Sequence, residues 1–206
     1  NRMVAAHARS AEAVKMCVRN GVQMVYHATL ADEEAKDMLE AAKDEVFVAP
    51  AMGLPYGRLT EGEKYGVSTS DYVRARAEKE IEVVSETMAD LRKRGIRVLL
   101  GGDYGFKWNP HGRNARDLQM FVDLFGFSPL EAIQAATEAG GELMGLAGEL
   151  GVITEGALAD ILLVDGDPSK DIAILQDPDR FLAIMKDGEF NKPFRGGSSQ
   201  QQVAAE

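Results

Sequence analysis

The chain has 206 residues, 45% of them hydrophobic, and a formal net charge of −10. That is length enough for one sizeable core, and the acidity argues against a nucleic-acid partner, which would meet a basic face. No apolar run approaches the roughly 18 residues of a membrane span, and a single cysteine, Cys17, excludes an internal disulfide or a thiolate-rich metal site.

In chain order, Met3-Val4-Ala5-Ala6 reads as a core strand that stops at His7. No secretory signal precedes it, so the expected location is cytoplasmic, although a core strand after two residues suggests that the sequence starts within a fold. Ser10 caps a helix with Val14, Cys17 and Val18 inward, closed by Asn20-Gly21. The strand Val22–Tyr26 stops at His27. Asp32 caps a second helix carrying Ala35, Met38, Leu39 and Ala42, and the strand Val46–Ala49 runs into Pro50. Met52–Ser68 is rich in Gly, Pro and Tyr without a period, and reads as a long loop, either a lid or a solvated crossover. A long helix follows, with Val73, Ala77, Ile81, Val84, Met88 and Leu91 on one stripe and Gly95 at its end. It delivers the strand Ile96–Leu100, which ends in Gly101-Gly102-Asp103.

Tyr104–Arg113 is irregular. A helix then carries Leu118, Phe121, Val122 and Phe125, and Ser128-Pro129-Leu130-Glu131 is a capping box opening an Ala-rich helix through Ala139. The strand–helix alternation predicts an α/β fold with a parallel sheet, either half of an eight-stranded barrel or a small open sheet. From Gly148 the pattern changes to strands at 159–164 and 181–185, with Asp187-Gly188 turning a hairpin into Glu189-Phe190. The expected division is the parallel α/β part over 1–147, a small β-rich appendage over 148–190 and a disordered polar tail over 191–206.

Three strand-like segments thus each deliver one metal-type ligand to the carboxyl end of a parallel sheet, where chemistry gathers. His7, His27 and Asp103 are expected to meet around a divalent ion. Two neutral imidazoles and a carboxylate suit Zn²⁺ or a similar cation, which lowers the pKa of bound water to about 7. Asp103 can hold the metal and also take the proton of the attacking water. His27 can ligate or polarise a substrate carbonyl; either histidine alone is as readily a satisfied core residue. On the following loop, His111 reaches toward substrate or is merely solvated, and Tyr104 and Trp108, with Phe106, wall an apolar pocket or simply pack the loop. Arg113 and Arg116 can grip a substrate carboxylate, although an ion pair of Arg116 with Asp117 or Glu131 is the favoured reading. The charged face of Arg74–Arg94 reads as solvated helix surface.

Taken together, Ala6-His7-Ala8, His27-Ala28-Thr29, Gly102-Asp103, Asn114-Ala115-Arg116-Asp117-Leu118, Phe127–Ile133 with Ala135-Ala136-Thr137, and Glu155-Gly156-Ala157-Leu158-Ala159-Asp160-Ile161 resemble the metal-dependent amidohydrolases of the imidazolonepropionase-related, prolidase-like branch. The resemblance runs from His7 to about Gly188. It implies the C-terminal half of a TIM (β/α)8 barrel, with His7, His27 and Asp103 ending strands five, six and eight. It also implies one or two zinc ions, and hydrolysis of an amide-like C–N bond in a small-molecule substrate: amide, peptide, carbamate, urea or cyclic amide. Family members add a His-x-His pair and often a carboxylated lysine from the first half, which has no counterpart here. The expected partner is therefore a complementing N-terminal half or a second copy in a homo-oligomer, with neither nucleic acid nor membrane. A non-catalytic assembly subunit is the alternative.

Overall fold

The computed structural model describes residues 3–67 and 70–194. Four parallel strands, β1 (Ala5–Ser10), β2 (Met24–Leu30), β3 (Phe47–Ala49) and β4 (Arg97–Val98), lie side by side in chain order. Between them run α1 (Ala11–Arg19), α2 (Glu33–Ala41), α3 (Gly53–Glu61) and α4 (Asp71–Lys93), and after β4 come α5 (Arg116–Phe125), α6 (Pro129–Ala136) and α7 (Glu138–Leu143). Strands in this register alternate their side chains. Val25, Val48 and Val98 point into the helix layer with Leu39, Met88, Leu91 and Phe121, whereas Met24, Phe47, Ala49 and Leu99 form a second cluster on the opposite face. Ala139 and Leu143 cover that second cluster. Ala8 belongs to the helix-side core, so its neighbours His7 and Arg9 stand on the other face.

The expected helix starts are present. Ser10 Oγ accepts from the Ala13 amide at 3.3 Å and an Asp32 carboxylate oxygen from Ala35 at 2.9 Å. Ser128 and Glu131 form the full capping box. Cys17 is a buried core residue.

Several expectations need correction. The stretch expected to be a loop from Met52 holds α3 and a 3-10 turn at Gly62–Tyr65. Pro55 falls in the first turn, where a missing amide costs nothing. Gly53 and Gly57 form a bare helix face: a Cβ there would lie 2.7 Å from the Gly102 carbonyl oxygen and 2.6 Å from that of Trp108. Glycine serves close packing here, not flexibility. Next, β1 and β2 run beyond His7 and His27 rather than stopping at them. Finally, the Ala-rich helix breaks at Thr137, whose hydroxyl donates back to the Ile133 carbonyl at 2.8 Å. Its carbonyl is pressed by Gly151, where a Cβ would lie 2.1 Å from the Thr137 oxygen.

Beyond α7, β5 (Ile161–Val164), β6 (Phe181–Lys186) and β7 (Glu189–Lys192) form an antiparallel meander. The β6–β7 turn is the expected Asp187-Gly188, with both φ values positive, 53° and 79°. β7 extends two residues into the segment expected to be a tail; residues 195–206 of that tail lie outside the described residues. The charged face of α4 is less idle than expected. Arg94 bridges Glu33, Asp37 and Glu40, and Arg92 pairs with Glu131.

Phe121 is 1% exposed and stacks on Phe125 and Phe127 at 5.1 and 4.9 Å between ring centroids. Phe121→Ala is expected to cost about 3–5 kcal/mol, and Ser128→Ala about 1 kcal/mol. Urea denaturation of the two variants checks the order.

Candidate active site

Among the described residues five non-glycine residues have φ in the left-handed region: His27 and Ala28 within β2, Ala51 and Asp103 in the segments after β3 and β4, and Asp187 in the β6–β7 turn. Each such residue costs about 1 kcal/mol or more, and strain of this kind collects at functional sites. In β2 it accompanies a bulge: the pairing steps from Ala8↔His27 to Ser10↔Leu30, so β2 carries one residue more than β1 over the same span. Strict alternation would put Tyr26 and His27 on opposite faces. The positive φ at His27 re-aims the side chain, and its ring meets that of His7 edge to face, 4.4 Å between centroids.

His27 is 9% exposed. Burial, then the neighbouring His7 and Arg9, push its pKa below the usual imidazole value, while Asp103 and Glu80 pull the other way. The ring is therefore neutral at pH 7, with a lone pair available to an electrophile. Arg9, on the same strand face as His7, pairs with Glu80 of α4. Among the described residues, no three His, Cys, Asp or Glu side chains are clustered tightly enough to hold a metal ion. The structure thus brings the two histidines together, with Asp103 near enough to act on His27 through its field.

The turn that carries Asp103 is heavily supported. Asn109, fully buried, donates from Nδ2 to the carbonyl oxygens of Gly102 at 2.6 Å and Asp103 at 2.9 Å. Its Oδ1 accepts from Arg116 Nη2 at 2.5 Å, and the same Arg116 nitrogen reaches the Gly53 carbonyl at 3.3 Å. Tyr104 lies flat on Gly102, where a Cβ would fall 2.5 Å from its ring, and its hydroxyl donates to Asp117 at 2.7 Å. The Gly101 amide also bonds to Asp117. Burial drives the Tyr104 phenol well above its ordinary range, with the Asp117 charge adding to it. Burial likewise raises the Asp117 carboxyl, to about 6, against the bond from Tyr104 and the charge of Arg116.

The other expected site residues are placed as follows. Tyr104 is spent on this support. Trp108 stacks on Phe106 at 5.3 Å, and its indole Nε1 is buried without a partner among the described residues. His111 is exposed, with Nε2 near Gly105. The arginines differ from expectation: Arg116 pairs with neither Asp117 nor Glu131. Both Arg113 and Arg116 bind Glu61, at 2.7 and 3.0 Å, so the carboxylate they grip is one of the protein's own. A cavity of about 370 Å³ beside this trio, lined by Tyr56, Gln119 and Met120 among others, opens between α3 and α5.

Residues 1–191 match the model of the Amidohydrolase family. Ochratoxinase of Aspergillus niger is 28% identical over 193 residues, which are 93% of this chain and 38% of that protein. Imidazolonepropionase of Rubrobacter xylanophilus is 34% identical over 107 residues, half of this chain and a quarter of that one. Among solved structures, a Xaa-Pro dipeptidase with methionine bound in its active site superposes with a TM-score of 0.74 at 28% identity, over 92% of this chain and 45% of that chain. A solved amidohydrolase superposes at 0.79 with 26% identity, over 95% and 46% respectively. The chain spans less than half the length of these relatives.

Asp117 gives this site a pH signature. The folded protein keeps its proton up to about pH 6, whereas the unfolded chain releases it near 3.8. Stability from this group is full below pH 3.8 and falls as pH rises to 6, by about 3 kcal/mol. In Asp117→Asn that slope disappears. Urea denaturation across pH 4–7 is expected to show the variant gaining on the parent by about this amount.

Proposed function

Because the chain belongs to the amidohydrolase family, we propose that it supplies His7, His27 and Asp103 to a metal-dependent hydrolase site that cleaves an amide-like C–N bond of a small molecule. The observation that carries this reading is the edge-to-face His7–His27 pair in the field of Asp103, at the end of the sheet where the backbone is held left-handed. Relatives named as a Xaa-Pro dipeptidase and an ochratoxinase support the amide class of bond.

The donor chemistry fits a Zn²⁺-type ion: a buried neutral imidazole, a second imidazole beside it and a carboxylate. Such an ion, when bound, supplies an activated water and polarises the scissile carbonyl. Asp103 takes the proton of the attacking water and returns it to the leaving nitrogen. His27, kept neutral by burial, either ligates the ion or steadies the developing oxyanion.

His7, His27 and Asp103 do not close a metal-holding cluster among the described residues, and the reading therefore calls for further donors. The sheet has β1 and β4 as open edges, and the relatives are about twice as long or more. Both facts support a strands-five-to-eight half barrel that works against a complementing first half. Among the described residues no helix is long and apolar enough to cross a membrane.

Elemental analysis with and without the complementing half tests the site. His7→Ala and Asp103→Ala are each expected to lower bound zinc and to slow hydrolysis of Xaa-Pro dipeptides by about 10²-fold or more. Unchanged metal content in both variants overturns the reading.

A further inference from the structure

We infer that Asn109 and Tyr104, anchored by Arg116 and Asp117, are positioning residues that hold Asp103 in its left-handed conformation and so aim its carboxylate. This rests on the proposed role of Asp103 and adds residues that never touch the reacting atoms.

Asp103 has a φ of 55°, a conformation that an ordinary residue leaves unless its surroundings fix it. The two carbonyl oxygens flanking that φ, those of Gly102 and Asp103, both accept from the Asn109 amide nitrogen. A primary amide is the side chain suited to the position, because one NH₂ offers two donors while the oxygen remains free for a guanidinium. Aspartate offers the oxygens without the donors, and leucine offers neither. The Asn109 oxygen is in turn fixed by Arg116, and Arg116 by Glu61 on α3. From the other side, the Tyr104 ring leaves no room for a Cβ at Gly102, and its hydroxyl is tied to Asp117.

Both anchors, Arg116 and Asp117, are consecutive residues at the start of α5. One helix end therefore grips the Asp103 turn through two separate side chains. A carboxylate that must meet a metal and a water tolerates an error of only about 10–20° in direction. Loss of outer contacts of this kind typically lowers metal affinity or activity by about 10–100-fold.

Zinc affinity of the holoenzyme, read by competition with a chelator, tests the inference. Asn109→Ala is expected to weaken Zn²⁺ binding by about 10-fold or more. Introduced into an Asp103→Asn background, the same change is expected to add nothing, because its route runs through that carboxylate. A merely structural Asn109 gives the same loss in both backgrounds or none in either, and either result overturns the inference. If Asn109→Ala does not fold, Tyr104→Phe decides. It keeps the ring on Gly102, frees Asp117 and is expected to weaken Zn²⁺ binding by about 3-fold in the parent only; no change overturns the inference. Asp103→Asn with undiminished Zn²⁺ affinity would instead sink the underlying metal-site reading, and this one with it.

Discussion

A single sealed amide, that of Asn109, is the constraint on which the geometry of this sheet end depends. It spans two backbone carbonyls and one guanidinium with no access to water. Away from solvent such a group has no alternative partners, so losing one bond leaves a buried donor or acceptor bare, at about 1–3 kcal/mol each. That asymmetry makes the turn rigid. The contacts join elements far apart in the chain: α3 through Gly53 and Glu61, the loop after β4, and the start of α5. This end of the sheet is thereby tied to the helix layer instead of resting on a loose loop.

Charge is distributed with the same economy. Where the protein is dry, burial works against charge: His27 has its proton affinity lowered, and Asp117 has its own raised toward 6 beside an un-ionised phenol. Charges are paired in clusters, exposed around Arg94 and partly buried around Glu61. An isolated exposed pair contributes little, but Arg94 gathers acids from α2 against its own helix and so fixes the packing of α2 on α4.

What could be read from the sequence was whatever depends on near neighbours. The caps at Ser10, Asp32 and Ser128 need only three or four residues in a row, and all three are formed. The strand–helix alternation gave the parallel order, and the hairpin at Asp187-Gly188 was equally local. α3 was hidden because Gly53 and Gly57 carry two opposite meanings, freedom in a loop or thinness at a helix crossing, and spacing alone does not separate them. The bulge in β2 was hidden for a related reason: nothing in His27-Ala28-Thr29 announces two positive φ values in residues that bear a Cβ. Arg116 was assigned to nearby acids, but Glu61, from the β3–β4 crossover, lies closest to it. His7, His27 and Asp103 drew notice because each follows an apolar run, and the structure brings the two histidines together; the Asn109 and Tyr104 supports left no such mark, since a buried asparagine on a loop looks like any turn residue.

Among the described residues, the four-stranded sheet ends on both sides in strands whose outward amides and carbonyls face no neighbour in the sheet. Such margins are templates: they will accept any extended peptide that reaches them, the proper one or another copy of the same segment. A strand that docks there would be held by backbone pairing before any side chain is read. Where copies are crowded, margins of this kind favour mutual stacking, so the sheet edge and not the surface charge governs how readily the fold associates.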